Sequence, residues 1–238
     1  MTWSILARDA QGQFGVAIAS RFFAVGALCV HTGRRVGALS TQALMNPLYG
    51  KAGLELVARG FDAAAVVQQL TAADSGREQR QLHLLASAGP GAAWTGGQCL
   101  PWCGHALHDD FSVAGNMLAG PQVLAATIQA YRASAGQSLA QRLIRAMLAG
   151  ELAGGDRRGK QSAALRIQGD EDYCALDIRV DDHAEPLQEL QRLYQVSLER
   201  FQPFVACLAG RNDPVGLTDR TQIEASIQAF QNSREDGA

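Results

Sequence analysis

The first forty residues alternate between large and small side chains. Residues 3–7 (WSILA) lead into a polar turn, Arg8 to Gln13, and then Phe14-Gly15-Val16-Ala17-Ile18-Ala19 sets large residues at 14, 16 and 18. A period of two marks β-strands, and the Gly and Ala between predict close packing on the second face as well. The apolar pattern continues as strand through residues 24–32 and 36–43, across the turn Gly33-Arg34-Arg35. Antiparallel hairpins covered on both faces are the simplest arrangement that satisfies it.

Then the period lengthens. Residues 48–59 and 62–72 place apolar side chains at helical spacing, with Gly60 as a stop and Asp62 as an N-cap. Short strands are expected at 81–86, 91–95 and 111–116, followed by a helical pair at 121–134 and 138–150 that Pro121 opens. Strands at 161–168 and 173–180 precede a long amphipathic helix over 185–208, with Leu187, Leu190, Leu193, Tyr194 and Leu198 on one stripe. The remainder is polar. The expected organisation is therefore one domain over 1–208 and a partly ordered tail over 209–238, frayed at NSREDGA. Strands and helical pairs that alternate in blocks do not make a βαβ series, so a parallel doubly wound sheet is disfavoured. Two antiparallel sheets, stacked and covered by helices, fit better.

Composition narrows the class further. A chain of 238 residues with 47% apolar and 18% charged residues can bury a full core, which excludes a disordered protein. The formal net charge of −2, with no basic run longer than two residues, predicts no nucleic-acid partner and no pull toward anionic lipid. No apolar run approaches the roughly 18 residues of a membrane span. The start, MTWSILARDAQG, lacks a basic region and reaches Asp9 too early for a signal peptide, so a cytoplasmic location is expected. Five scattered cysteines suit reduced, mostly buried thiols better than a disulfide framework.

Several motifs invite chemistry and fail on detail. Gly154 to Lys160 satisfies the glycine and lysine positions of a phosphate-binding loop, yet Gln161 follows where a Ser or Thr is needed, and a strand comes next. The same loop, with Asp156, Arg157 and Arg158, is still rich in groups that orient a carboxylate or amide. Cys99, Cys103, His105 and His108 resemble zinc ligands by composition, but their intervals do not match paired-ligand spacing. No metal and no cofactor are expected. Asp181 and Asp182 fall between a strand and a helix, where capping is the simpler reading. His31 and His83 lie inside apolar strands and read as hydrogen-bonded core residues. Asn116 ends a strand, where it serves structure or donates to a substrate.

Thr2 carries the chemical hypothesis. A side chain this small permits removal of Met1, and the chain would then open on a threonine at the start of a strand. A free α-amine has a pKa of about 7.7–8.0, so at neutral pH part of it is unprotonated and can take the proton of its own hydroxyl. Ser4, within the strand, would need a separate base.

The blocks Thr2-Trp3-Ser4-Ile5, Gly15 through Phe22, Val25-Gly26, Thr41-Gln42-Ala43, Asn46-Pro47 and Tyr49-Gly50 resemble the DUF1028 family, a group related to the N-terminal-nucleophile hydrolases. The resemblance continues in Asp74, Arg77-Glu78, Arg80-Gln81, Thr95-Gly96, Cys99, Trp102, Gly104-His105, Gly115 through Leu118, Gly154 through Ala163, and Asp177 with Arg179 through His183. It spans residues 2 to about 198 and departs at Cys103, where a small residue is expected. It implies an α+β fold, a four-layer αββα sandwich of two antiparallel sheets, and it raises Thr2 as the nucleophile.

The resulting expectation is an amidohydrolase that cleaves a small amide or related C–N bond. Thr2 attacks and its own amine is the base; Asn116 and backbone N–H groups donate to the oxyanion, ahead of Gln42, which is placed as a substrate contact. Arg21, Asp156 and Arg157 orient the amine or hold a substrate carboxylate, and His105 stands behind them. The alternative is a non-catalytic protein that binds a small ligand on the same scaffold through Arg21, Asp156 and Arg157. A homo-oligomer, a dimer first, is expected from the long amphipathic helix.

Overall fold

The alternating segments pair as the period predicts. In the computed structural model, which describes residues 2–235, β1 (Thr2–Arg8) and β2 (Phe14–Ser20) form a hairpin with Trp3 opposite Ala19 and Leu6 opposite Val16. β8 (Phe111–Asn116) flanks β1 and β9 (Ser162–Gln168) flanks β2, while β7 (Gly104–Leu107) and β10 (Leu176–Val180) form the edges. The order is β10-β9-β2-β1-β8-β7, antiparallel throughout. A second antiparallel sheet runs β3 (Val30–Gly33), β4 (Gly37–Ala43), β5 (Arg80–Ala86) and β6 (Ala92–Thr95).

Strand pleating then sorts the side chains. Leu6, Val16 and Ile18 of the first sheet meet Ala38 and Leu85 of the second in the central core. Leu39, Leu82 and Leu84 face the other way and pack with Val66 and Leu70 of α3 (Ala63–Ala72), beside α2 (Leu48–Ala58). The opposite face of the first sheet is covered by α4 (Gln122–Ala133) and α5 (Leu139–Leu152). The result is an αββα sandwich. Asp62 caps α3 through Ala65 N at 2.7 Å, and Ser138 forms a capping box with Gln141 at the start of α5.

Residues 24–32 depart from the expected strand. Ala24 adopts a left-handed conformation (φ 51°) and starts a helical turn, α1 (Val25–Cys29), before β3 begins. Gly26 comes so close to Ala164 of β9 that a Cβ there would collide, so packing against β9 overrides the local apolar pattern. β7 was not foreseen, because four residues on an edge strand leave little periodicity to read. Asp181 and Asp182 do not cap the following helix. They bind Arg179 and Gln161 instead, and α6 (Pro186–Glu199) starts further on.

The chain divides into two compact units, residues 1–190 and 191–238. In the second, α6 stops at Glu199 rather than running to 208, and a short α7 (Phe201–Val205) follows. Polarity predicts a tail beyond, but Arg220–Glu235 forms a helix, α8, whose Glu224 pairs with Arg200. Residues 236–238 of the expected frayed end lie outside the described residues.

The sheet-to-helix layer should be sensitive to volume. Leu143 in α5 is fully buried, and Leu152 on the same helix is 89% exposed. Leu143→Ala should lower unfolding free energy by about 2–5 kcal/mol in urea titrations. Leu152→Ala should change it by less than about 0.5 kcal/mol.

Candidate active site

Thr2 opens the strand at the centre of the larger sheet. It pairs with Ser20 on β2 and with Asn116 on β8, both at strand ends, and is only 5% exposed. Its side chain points toward the second sheet, as do Ser4 and Leu6 at the same pleat phase. Thr2 Oγ1 lies 3.1 Å from Ser20 Oγ, and Asn116 Nδ2 donates to the Thr2 carbonyl at 3.4 Å.

Behind Thr2 a chain of polar side chains crosses the core. Asn116 Nδ2 donates to Gln81 Oε1 (3.1 Å), which also accepts from Gln42 Nε2 (2.7 Å). Ser4 Oγ donates to Gln42 Oε1 at 2.7 Å and sits 2.8 Å from His83 Nε2. Because the Ser4 proton goes to Gln42, His83 Nε2 must be the donor to Ser4 Oγ. His83 Nδ1 then accepts from Ser112 Oγ at 2.8 Å. A branch runs from Gln81 Nε2 to Thr95 Oγ1 (2.8 Å) and on to His105 Nδ1 (2.9 Å). Gln81 Nε2 also reaches the carbonyls of Gly104 (3.0 Å) and Gly115 (2.9 Å). Ser4, Gln42, Gln81, His83 and Ser112 are fully buried.

Two cavities flank this strand end. The first, about 310 Å³, is bordered by Trp3, Ser20, Glu151, Asp156, Arg157 and Lys160. The second, about 270 Å³, lies toward the second sheet and is bordered by Leu44, Gln79, Cys99, Leu100, Asn116 and Met117. Its rim is tied down by Arg80, which pairs with Asp74 and donates to the carbonyls of Leu44 and Met45. The Arg80 guanidinium, with the Tyr49 hydroxyl, holds the Asp74 carboxyl well below the usual range. Burial pushes the Cys99 thiol up to about 11, with Cys103 adding to the effect, so it is no ready thiolate.

The residues expected from the sequence fall into two groups. Thr2 and Asn116 touch, and Gln42 joins them through Gln81. Gln42 is a link between the sheets, its oxygen on Ser4 and its nitrogen on Gln81, rather than a group facing an open cavity. His105 sits on the edge strand β7, exposed, and reaches Asn116 only through Thr95 and Gln81. In the second group, Asp156 and Arg157 border the first cavity, and Arg21 joins them through its bond to Asp156. The Arg21 backbone N–H donates to Asp156 Oδ2 at 2.9 Å, and its guanidinium bonds the Lys160 carbonyl. Asp156 Oδ1 accepts from Arg158 N at 2.8 Å.

Ser4 lies against His83, but Nε2 donates to Ser4 Oγ instead of taking its proton, and both residues are fully buried. The four residues resembling zinc ligands disperse: Cys99 Sγ bonds the Arg80 carbonyl, Cys103 Sγ the Cys99 carbonyl, His105 binds Thr95, and His108 stacks on Phe111. The sequence reading missed Ser20, Gln81 and Glu151. Gln81 and His83 share a pleat phase on β5 with Ser40 and Gln42 on β4, and that period-two polar face was the available signal.

Residues 2–190 match the family model described as "Family of unknown function (DUF1028)", and the chain belongs to that family. The matched stretch ends where the first compact unit ends. Protein SPO2555 from Silicibacter pomeroyi, itself described as DUF1028, superposes with a TM-score of 0.85 at 29% identity, over 92% of this chain and 96% of that one. Anbu (ancestral beta-subunit) from Yersinia bercovieri aligns at a TM-score of 0.41 and 11% identity, over 82% and 94% of the two chains. An Anbu (Gly-1) mutant from Hyphomicrobium sp. strain MC1 gives 0.40 and 12%, over 83% and 95%. No curated protein matches the chain. Among the described residues, no helix is long and apolar enough to cross a membrane.

Complete burial pushes His83 down to about 3, from an unfolded value near 6.5. Between those values the unfolded chain binds the extra proton. The stability from keeping His83 neutral is therefore complete above about pH 6.5 and is lost as pH falls toward 3. Urea midpoints measured from pH 7 to 4 should fall less steeply for His83→Gln than for the unsubstituted protein. Equal slopes would mean that another group governs the acid loss.

Proposed function

We propose that this protein is an N-terminal-nucleophile amidohydrolase acting on a small amide or related C–N bond. The observation that carries the reading is Thr2. It opens the central strand, with its hydroxyl against Ser20 and its neighbours bordering a cavity on either side.

Removal of Met1, which lies outside the described residues, gives Thr2 a free amine. The amine takes the Oγ1 proton as Oγ1 bonds to the substrate carbonyl carbon. It returns that proton to the departing nitrogen as the C–N bond breaks. Water then attacks the acyl-threonine ester, releasing the carboxylic acid and restoring the hydroxyl. Asn116 supplies the oxyanion donor: its 3.4 Å bond to the Thr2 carbonyl is the longer of its two, and the one exchanged for the developing charge. Arg21 and Arg157 hold a substrate carboxylate, Arg being suited to bidentate contact, while Asp156 fixes the Arg21 backbone. Gln42 and His105 act at a distance, by keeping Gln81 and so Asn116 in place.

The test is a screen of small amides against protein produced from its native start. Thr2→Ala, which still permits Met1 removal, should abolish turnover while leaving the melting temperature nearly unchanged. Asn116→Ala should lower kcat about 10²–10³-fold, the usual cost of one oxyanion donor. Undiminished turnover in Thr2→Ala would overturn the mechanism. Ligand-induced stabilisation without turnover would favour a non-catalytic binding protein.

A further inference from the structure

The first cavity contains a buried acceptor without a partner. Glu151, in the last turn of α5, has a side chain only 7% exposed. Its Oε2 accepts from Lys160 Nζ at 3.2 Å and from Gln188 Nε2 at 3.0 Å. Its Oε1 is buried and has no hydrogen-bond partner among the described residues. Buried carboxylate oxygens are normally paired, because the loss of water must be offset by a donor.

The cation beside Glu151 is also divided. The Lys160 ammonium pairs with Glu185 as well as Glu151, so one cation is shared between two carboxylates. Asp156, the other carboxylate on the cavity, has its oxygens engaged by the backbone N–H groups of Arg21 and Arg158. What Glu151 lacks is therefore one hydrogen-bond donor, at Oε1. Trp3 contributes an aromatic wall beside Gly155, which suits a cation. Arg157 borders the same cavity with the opposite charge. At about 310 Å³ the space is metabolite-sized.

We propose that this cavity binds a small molecule bearing both a cationic nitrogen and a carboxylate. Its ammonium or guanidinium donates to Glu151 Oε1, and its carboxylate faces Arg157. The inference rests on the hydrolase reading only in taking this ligand class as substrate or product. Ser20, which borders the cavity, lies against Thr2 Oγ1 and so connects the two.

Calorimetry with the Thr2→Ala protein separates binding from cleavage. L-Arginine, with both charged ends, should bind, and succinate, which lacks the cation, should not. Glu151→Gln should weaken L-arginine at least tenfold. Arg157→Ala should weaken L-arginine but leave agmatine, which lacks the carboxylate, unchanged. If Glu151→Gln fails to fold, the indole ¹⁵N–¹H resonance of Trp3 in the unsubstituted protein supplies the readout, and it should shift on adding L-arginine. Absence of L-arginine binding, equal affinity in folded Glu151→Gln, or succinate binding as tight as L-arginine would each overturn the proposal. A protein that cleaves amides through Thr2 but ignores L-arginine refutes the ligand class alone. One that binds L-arginine yet turns over no amide refutes the hydrolase reading alone.

Discussion

The hydrogen-bonded chain between the two sheets constrains everything around it. From Asn116 through Gln81 and Gln42 to Ser4, His83 and Ser112, every side chain is buried, and each bond uses up a donor or acceptor that would otherwise be costly to hide. The two sheets share an apolar core further along the same strands, where Leu6, Val16 and Leu85 meet. Apolar contact alone tolerates sliding; directional bonds between β1, β4, β5 and β8 do not. Slipping one strand by a residue would turn its polar atoms into the outer helical layers and leave their partners bare.

That constraint is what makes the end of β1 a defined place. Thr2 lies at the open end of the network, with its carbonyl held by Asn116 and its hydroxyl by Ser20. The neighbouring pleat positions face opposite ways, so Trp3 belongs to the helix-side cavity and Asn116 to the cavity between the sheets. The site joins a rigid, neutral interior to a rim carrying Glu151, Asp156, Arg157 and Lys160. His83 stays neutral across the physiological range, since burial disfavours its charged form. The ionised side chains are kept to the rim, outside the neutral network.

Much of this was legible in the sequence because it rests on local periodicity. Large residues at 14, 16 and 18 marked β2, the helical pair of α4 and α5 showed its spacing and its start at Pro121, and the layered architecture followed from the block order. Family resemblance added weight to Thr2. What stayed hidden depends on contacts distant in the chain. The turn at Val25–Cys29 exists because Gly26 packs on Ala164, which the local apolar run does not reveal. Gln42 looked like a substrate contact because its type suits one, and only the facing sheet shows both ends of its amide engaged. No local pattern singles out Glu151, since the Lys160 and Gln188 that surround it come from later segments.

The central claim is that the Thr2 hydroxyl is a nucleophile activated by its own amine. Intact-mass and N-terminal peptide spectra of untagged protein, recorded before and after exposure to a β-lactone, test it most directly. The account predicts a chain that has lost Met1 and carries one acyl group, located on Thr2. Retained Met1, or an acyl group on any other residue, would contradict it.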